Sequence, residues 1–462
     1  MPNRVLLRSP RSPFAAVPAF TLLERNLIGS NVGNLVFQDA AYRLLDVPGV
    51  TIEVDGLRVD ASDADRINDS YDTYVVPFAN AFRRQFEPVL DRWTALVRRL
   101  RIPVVVLGVG AQAPVDYDRE PLRRLEPSTR RFVGAVLDHA PSIGVRGAFT
   151  AEWLRSLGFS DVEVIGCPSM FWHGDRLEVS KRTATLQADA AVVVTASPYR
   201  REMGPIVDRH LLRHRRLSYV AQDDVTYELL LLPGSSPGGV VRGSLTDPAH
   251  AVFELGRTRL FTHPRAWFEF LRDHDFVFGS RIHGTIAALI AGTPAVVLAH
   301  DSRTRELAEH FEIPHRLLGT VSPDVVAEQL YAEADYAPLV GGHRRRFEAF
   351  TSFLERHGLE HAFAPGQDRG AAFDERYARV PSVVLASDGS GAVRGLSGIA
   401  LRSRLAARRA ARSAILGVRR TVGKRKTREA VGVLAPVLVA AFVNLADLLS
   451  GDLADAALSL VS

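Results

Sequence analysis

The feature that most limits what this chain can fold into is one stretch, His274 to Pro314, HDFVFGSRIHGTIAALIAGTPAVVLAHDSRTRELAEHFEIP. Phe276-Val277-Phe278 is an apolar run of strand length, and it opens into a polar turn, Gly279-Ser280-Arg281-Ile282-His283-Gly284. Residues 285–291 have the composition of a packed helix, stopped by Gly292 and Pro294. Residues 295–299 read as a second buried strand, and Asp301 or Ser302 can cap a helix over 303–311. Strand, turn, helix, strand, helix is one βαβα unit of a parallel sheet, a layout that seats ligands at the carboxyl ends of its strands. The first turn therefore presents an arginine, a histidine and free backbone N–H groups at a helix N-terminus. That combination suits an anion beside a proton donor.

The rest of the chain repeats the pattern. Expected strands at 50–54, 74–76, 104–107, 142–146 and 162–165 alternate with helices at 35–45, 89–100 and 148–157. A polar bridge over 174–188 separates them from a second series that begins at 191–195. With 462 residues, this predicts two Rossmann-like domains facing across a cleft: 1–185, and 186–362 with the GSRIHG site. Residues 1–20 read as a loose, proline-punctuated arm, and 363–462 as a linker followed by a tail. A hydrophobic content of 47% with 24% charged residues is that of a soluble globular protein. Cys167 is the single cysteine, which excludes a disulfide framework and a cysteine zinc site. His210 and His214 share a helical face but lack a third ligand, so a solvated face rather than a metal centre is expected. No metal and no cofactor are expected elsewhere.

Charge is unevenly placed. Residues 391–430 carry twelve Arg or Lys and one Glu, leaving residues 1–390 near neutral. The apolar run 431–446 is sixteen residues long, short of the ~20 needed to span a bilayer. Residues 398–446 therefore read as a peripheral anchor to an anionic membrane surface, or as a helix that packs on a partner. No aromatic residues interleave the arginines, so nucleic acid is not an expected partner. No apolar stretch precedes Pro10 and Pro13, and the expected location is the cytoplasm, peripheral at the inner face of the cell membrane.

GSRIHG followed by A-x-x-A-G-T-P and D-S-R resembles the signature of the polysaccharide pyruvyl transferases, over roughly residues 25–335. That resemblance implies a two-domain fold like that of certain glycosyltransferases. It also implies transfer of a pyruvyl group from phosphoenolpyruvate to sugar hydroxyls as a ketal, on a free or lipid-linked saccharide. His283 and Arg281 become the catalytic candidates. Arg146, Arg303, Asn31, Gly33, Asn34, Ser280 and Gly284 become substrate-binding candidates. Asn31-Val32-Gly33-Asn34 matches the family's N-x-G-D turn, with Asn34 in place of the aspartate. Phosphoenolpyruvate needs several guanidinium forks, an acid for its methylene carbon and a base for the attacking hydroxyl. His283 suits either duty, and its cationic neighbours should lower its pKa while the site is empty. Two other classes fit the same architecture: a nucleotide-sugar glycosyltransferase, and a non-catalytic envelope-associated binding protein.

Overall fold

The computed structural model describes residues 4–392 together with Leu401, Arg402 and Leu405. The expected basic segment and apolar run of the tail otherwise lie outside the described residues. In the first domain, β1 (Arg4–Leu7), β2 (Thr51–Val54), β3 (Thr73–Pro77) and β4 (Val104–Leu107) form a parallel sheet ordered β2-β1-β3-β4. β5 (Ile143–Val145) pairs with β6 (Val162–Val164), and a parallel bridge from Val109 to Val145 ties the two groups together. β3 and β4 are buried along their whole length, as strands covered by helices on both faces must be. β2 alternates in exposure, as befits an edge. The amino-terminal arm is thus a correction: Val5, Leu6 and Leu7 lie inside the sheet, at most 2% exposed.

The second domain has seven strands: β7 (Val192–Val194), β8 (Ser218–Val220), β9 (Thr258–Phe261), β10 (Phe276–Gly279), β11 (Ala295–Ala299), β12 (His315–Leu317) and β13 (Val384–Ala386). Their order is β12-β11-β10-β7-β8-β9-β13, parallel except for β13 against β9. Chain order reverses between β7 and β10. In doubly wound sheets a ligand crevice opens at that reversal, outside the carboxyl ends of the two strands. Ser280, Arg281 and His283 immediately follow β10.

Residues 363–392, expected as linker, instead strap the domains. Phe373 and Tyr377 of the Ala371–Ala378 helix are buried, and the Tyr377 hydroxyl donates to Asp39 at 2.8 Å. β13 then closes the second sheet. The Ala337–Arg356 helix crosses back to the first domain, where His357 Nε2 meets Ser142 O at 3.0 Å and Ala362 N donates to Leu44 O at 2.8 Å. His210 and His214 are another correction, since both are buried and their rings stack at 5.9 Å. His210 Nδ1 meets Ile206 O at 2.6 Å, and its Nε2 accepts from Ala327 N at 2.9 Å. No described helix is long and apolar enough to cross a membrane.

Candidate active site

The helix after β10 runs Ile282–Ile290, starting three residues earlier than its composition suggests, with Arg281 as its extended N-cap. His283 therefore sits in the first helical turn. The early start rests on packing. A Cβ on Gly284 would lie 2.6 Å from the Thr195 side chain, and one on Gly279, at φ +148°, only 2.2 Å from Thr195 O. Only glycine at both places lets the turn close on the end of β7. Arg281 N donates to Thr195 O at 3.1 Å, and Ser280 Oγ accepts from Ser197 N at 2.9 Å.

The first domain brings a second helix to the same spot. Gly33–Leu45 begins where a Cβ on Gly33 would be 2.9 Å from His283 Cβ, and Phe37 stacks on the imidazole with centroids 5.5 Å apart. Two helix N-termini, one from each domain, thus lie beside His283, each contributing positive partial charge. Asn31 Oδ1 accepts from Gly33 N at 2.7 Å, and Val32 N donates across the domain boundary to Gln222 O at 2.9 Å. The Asn34 amide donates to Ile28 O and Gly29 O at 3.0 and 3.1 Å. It faces back into its own turn.

Arg146, after β5, is 2% exposed. Its Nε has no partner, and no described carboxylate forms an ion pair with it. Arg281 Nε is likewise buried and unpartnered. Glu306 and Asp301 act on Arg146 through space, and Arg281 on Asp223, but neither guanidinium makes a direct ion pair with a described carboxylate, and a buried guanidinium without one costs several kcal/mol. Arg303 is more committed: its Nε donates to Asp301 Oδ2 at 2.9 Å. Asp301 in turn caps the Ser302–Phe311 helix through a capping box with Thr304. The Asn80 amide lies 2.9 and 3.0 Å from the Nη1 atoms of Arg83 and Arg303. Arg83 is pushed down to about 10 by burial and by Arg303 and Arg8.

This field reaches the histidines. Burial first, then Arg146, Arg303 and Arg281, lowers His283 to about 3, so the imidazole is neutral near pH 7. Its Nε2 lies 3.9 Å from Cys167 Sγ and makes no bond to a backbone carbonyl that would hold it. His300 falls to about 4 through burial, against the pull of Asp301. Burial alone would raise Asp301, but Arg303 and His300 outweigh it and hold the carboxylate below its usual range. Glu306 goes the other way, raised by burial to about 7 although Thr150 N and Oγ1 donate to it at 3.0 and 2.8 Å. No group of three metal-ligating side chains occurs among the described residues.

Of the residues expected from sequence, His283, Arg281, Arg146 and Arg303 converge in one electrostatic neighbourhood. Gly33 and Gly284 let backbone approach, whereas Ser280, Asn31 and Asn34 make internal bonds that shape the turns. Sequence reasoning missed Phe37, Glu306 and Arg8. Arg8 directly follows β1, and its Nη1 donates to Pro77 O at 3.3 Å. Its signal was the apolar triplet Val5-Leu6-Leu7 ahead of it.

Fold and site together define a two-domain α/β protein with an arginine-rich cluster around a buried histidine at the reversal of its second sheet. Residues 31–302 match the family model for polysaccharide pyruvyl transferase, and the chain belongs to that family. No curated protein matches the sequence. Among solved structures, it is similar to a putative UDP-N-acetylglucosamine 2-epimerase from Listeria monocytogenes, at 12% identity and a TM-score of 0.39, over 82% of this chain and 97% of that one. It is also similar to UDP-GlcNAc 2-epimerase from Neisseria meningitidis bound to UDP-GlcNAc, at 10% identity and a TM-score of 0.37, over 81% and 100%. The glycotransferase of kitacinnamycin shares 13% identity with a TM-score of 0.33, over 77% and 98%.

Proposed function

We propose that this transferase moves the pyruvyl group of phosphoenolpyruvate onto two hydroxyls of a cell-envelope or exopolysaccharide sugar, forming a ketal and releasing phosphate. The observation that carries this reading is a buried guanidinium, Arg146, and a half-buried one, Arg281, each with a buried Nε that has no hydrogen-bond partner, beside a neutral imidazole. Phosphoenolpyruvate brings two anionic groups to that pair, and the nearby helix N-termini add N–H donors. Its negative charge raises the pKa of His283 and draws a proton onto the ring. The protonated ring then acts as the acid that converts the methylene carbon to a methyl group as the first sugar oxygen adds to C2. The second sugar oxygen takes the place of phosphate at C2. Of the two hydroxyl protons, one balances the proton placed on the methyl carbon and the other leaves with phosphate.

The chemistry asks for no bound cofactor, since the donor carries its own leaving group. Arg303, tied to Asp301, serves to keep that carboxylate from competing for the site. The tail offers a route to an anionic membrane surface, where a lipid-linked acceptor would reside on the cytoplasmic side.

Arg281→Ala and His283→Ala proteins that remain folded are expected to lose phosphate release from phosphoenolpyruvate. Undiminished turnover in both overturns the proposal. A nucleotide-sugar glycosyltransferase would instead be stabilised against heat by nucleotide sugars and not by phosphoenolpyruvate.

A further inference from the structure

The two helices whose N-termini meet at His283 also end together. Phe37 and Gly33 of one touch the histidine of the other. At the far ends, Arg43 joins Ile290, Ala291 and Gly292 around a cavity of about 460 Å³. His173, Arg176, Glu178, Arg272, Phe363 and Arg369 complete the wall. The nine-residue helix Ile282–Ile290 separates this cavity from the anion site by about 13 Å, at 1.5 Å per residue.

The lining is not an ordinary solvated arginine surface. Arg43 is 3% exposed, held by Asp374 at 2.8 and 2.6 Å, and its Nη1 is buried with no partner. Phe363 carries a guanidinium on either account, Arg43 at 5.3 Å and Arg369 at 5.2 Å from its ring centre. Asp374 and Asp175 already engage Arg43 and Arg369. Arg176 and Arg272 stand at the rim outside those ion pairs. Against these cations the wall itself offers one carboxylate, Glu178. The volume lies within the ~300–1,000 Å³ usual for small-molecule sites.

We propose that this rear cavity is a second ligand site for an acidic sugar, one oxyanion on a pyranose-sized frame. Arg176 and Arg272 hold the oxyanion, while the Ile290–Ala291 edge covers the C–H face of the ring. Because the cavity is bounded by the C-terminal ends of both site-forming helices, an occupant bears on the elements that position Gly33, Phe37 and His283. The proposal does not depend on the transfer reaction.

The test is calorimetric titration of the full chain with glucuronic acid, glucose 1-phosphate and glucose. Three proteins are compared: unaltered, Arg176→Ala/Arg272→Ala, and Arg281→Ala. Both rim arginines are exposed, so their removal leaves the core intact. An acidic sugar is expected to bind the unaltered and Arg281→Ala proteins equally, and the rim double variant about tenfold or more weakly. Glucose is expected not to bind. Whether glucuronic acid or the phosphate ester binds better distinguishes a carboxylate from a phosphate as the natural oxyanion. Binding that survives the rim substitutions, that is lost in Arg281→Ala, or that neutral glucose matches overturns the proposal. So does failure of both acidic sugars to bind.

Discussion

Two turns face each other across the domain boundary, and they treat their polar groups in opposite ways. In the first-domain turn, Asn31 accepts from Gly33 N and the Asn34 amide donates to Ile28 O and Gly29 O. In the second-domain turn and its neighbour after β5, Arg281 and Arg146 keep buried nitrogens without partners. The first turn is complete without a ligand. The second leaves buried donors without partners. A residue that matches a family motif can be a builder of the site rather than a binder, and hydrogen-bond satisfaction separates the two.

The sharpest way to break that contrast is Arg146→Met. Phosphate release should fall by about 10³-fold, as when a preorganised charge is removed from a developing anion. The empty protein should become more stable by ~1–3 kcal/mol, because an unpaired buried charge is replaced by an apolar side chain. Chemical denaturation alongside an activity assay checks both. A loss of stability would place Arg146 among the builders.

Next comes proton linkage at His283, read with sulfate, an anion that does not itself titrate in the range used. The empty-site value of about 3 means that a ring protonated on anion binding takes its proton from solvent. Sulfate affinity should therefore rise as pH is lowered from 8 toward 5, by at most about tenfold per unit. His283→Gln should flatten that slope. An equal slope in both proteins would assign the linkage elsewhere.

How much of this was legible beforehand follows from how local each signal is. The strands at 104–107 and 295–299 were visible because strands buried on both faces read as unbroken apolar runs. Arg4–Leu7 was hidden by its brevity and by Pro10 and Pro13, and only its pairing with β2 and β3 reveals it as central. Residues 371–386 were hidden inside a longer stretch, 366–397, rich in Gly, Ser, Asp and Ala, although Phe373, Tyr377 and Leu385 carry the packing. The burial of His210 had a usable signal in its helical phase with Ile206 and Val207. Arg146 was legible as an arginine closing a strand. Glu306 was not, since a glutamate inside a helix is ordinary until the other domain's Thr150 is brought to it.

Glu306 gives a smaller test of the domain contact. Its folded value near 7 lies above its ordinary 4.5, so the folded state holds a proton that the unfolded chain releases. Stability should fall as pH rises from 4.5 to 7, by ~3 kcal/mol. Glu306→Gln should lack this fall when unfolding is followed across that window. The smallest effect belongs to the satisfied turn. Asn34→Ala should cost ~1 kcal/mol of stability and leave phosphoenolpyruvate binding within about twofold, checked by titration.

The most direct trial of the central claim is a crystal structure of the chain with phosphoenolpyruvate. The account predicts its two anionic groups on Arg146 and Arg281, with the methylene carbon toward His283. Phosphoenolpyruvate bound elsewhere, with those guanidinium groups still unpaired, would contradict it.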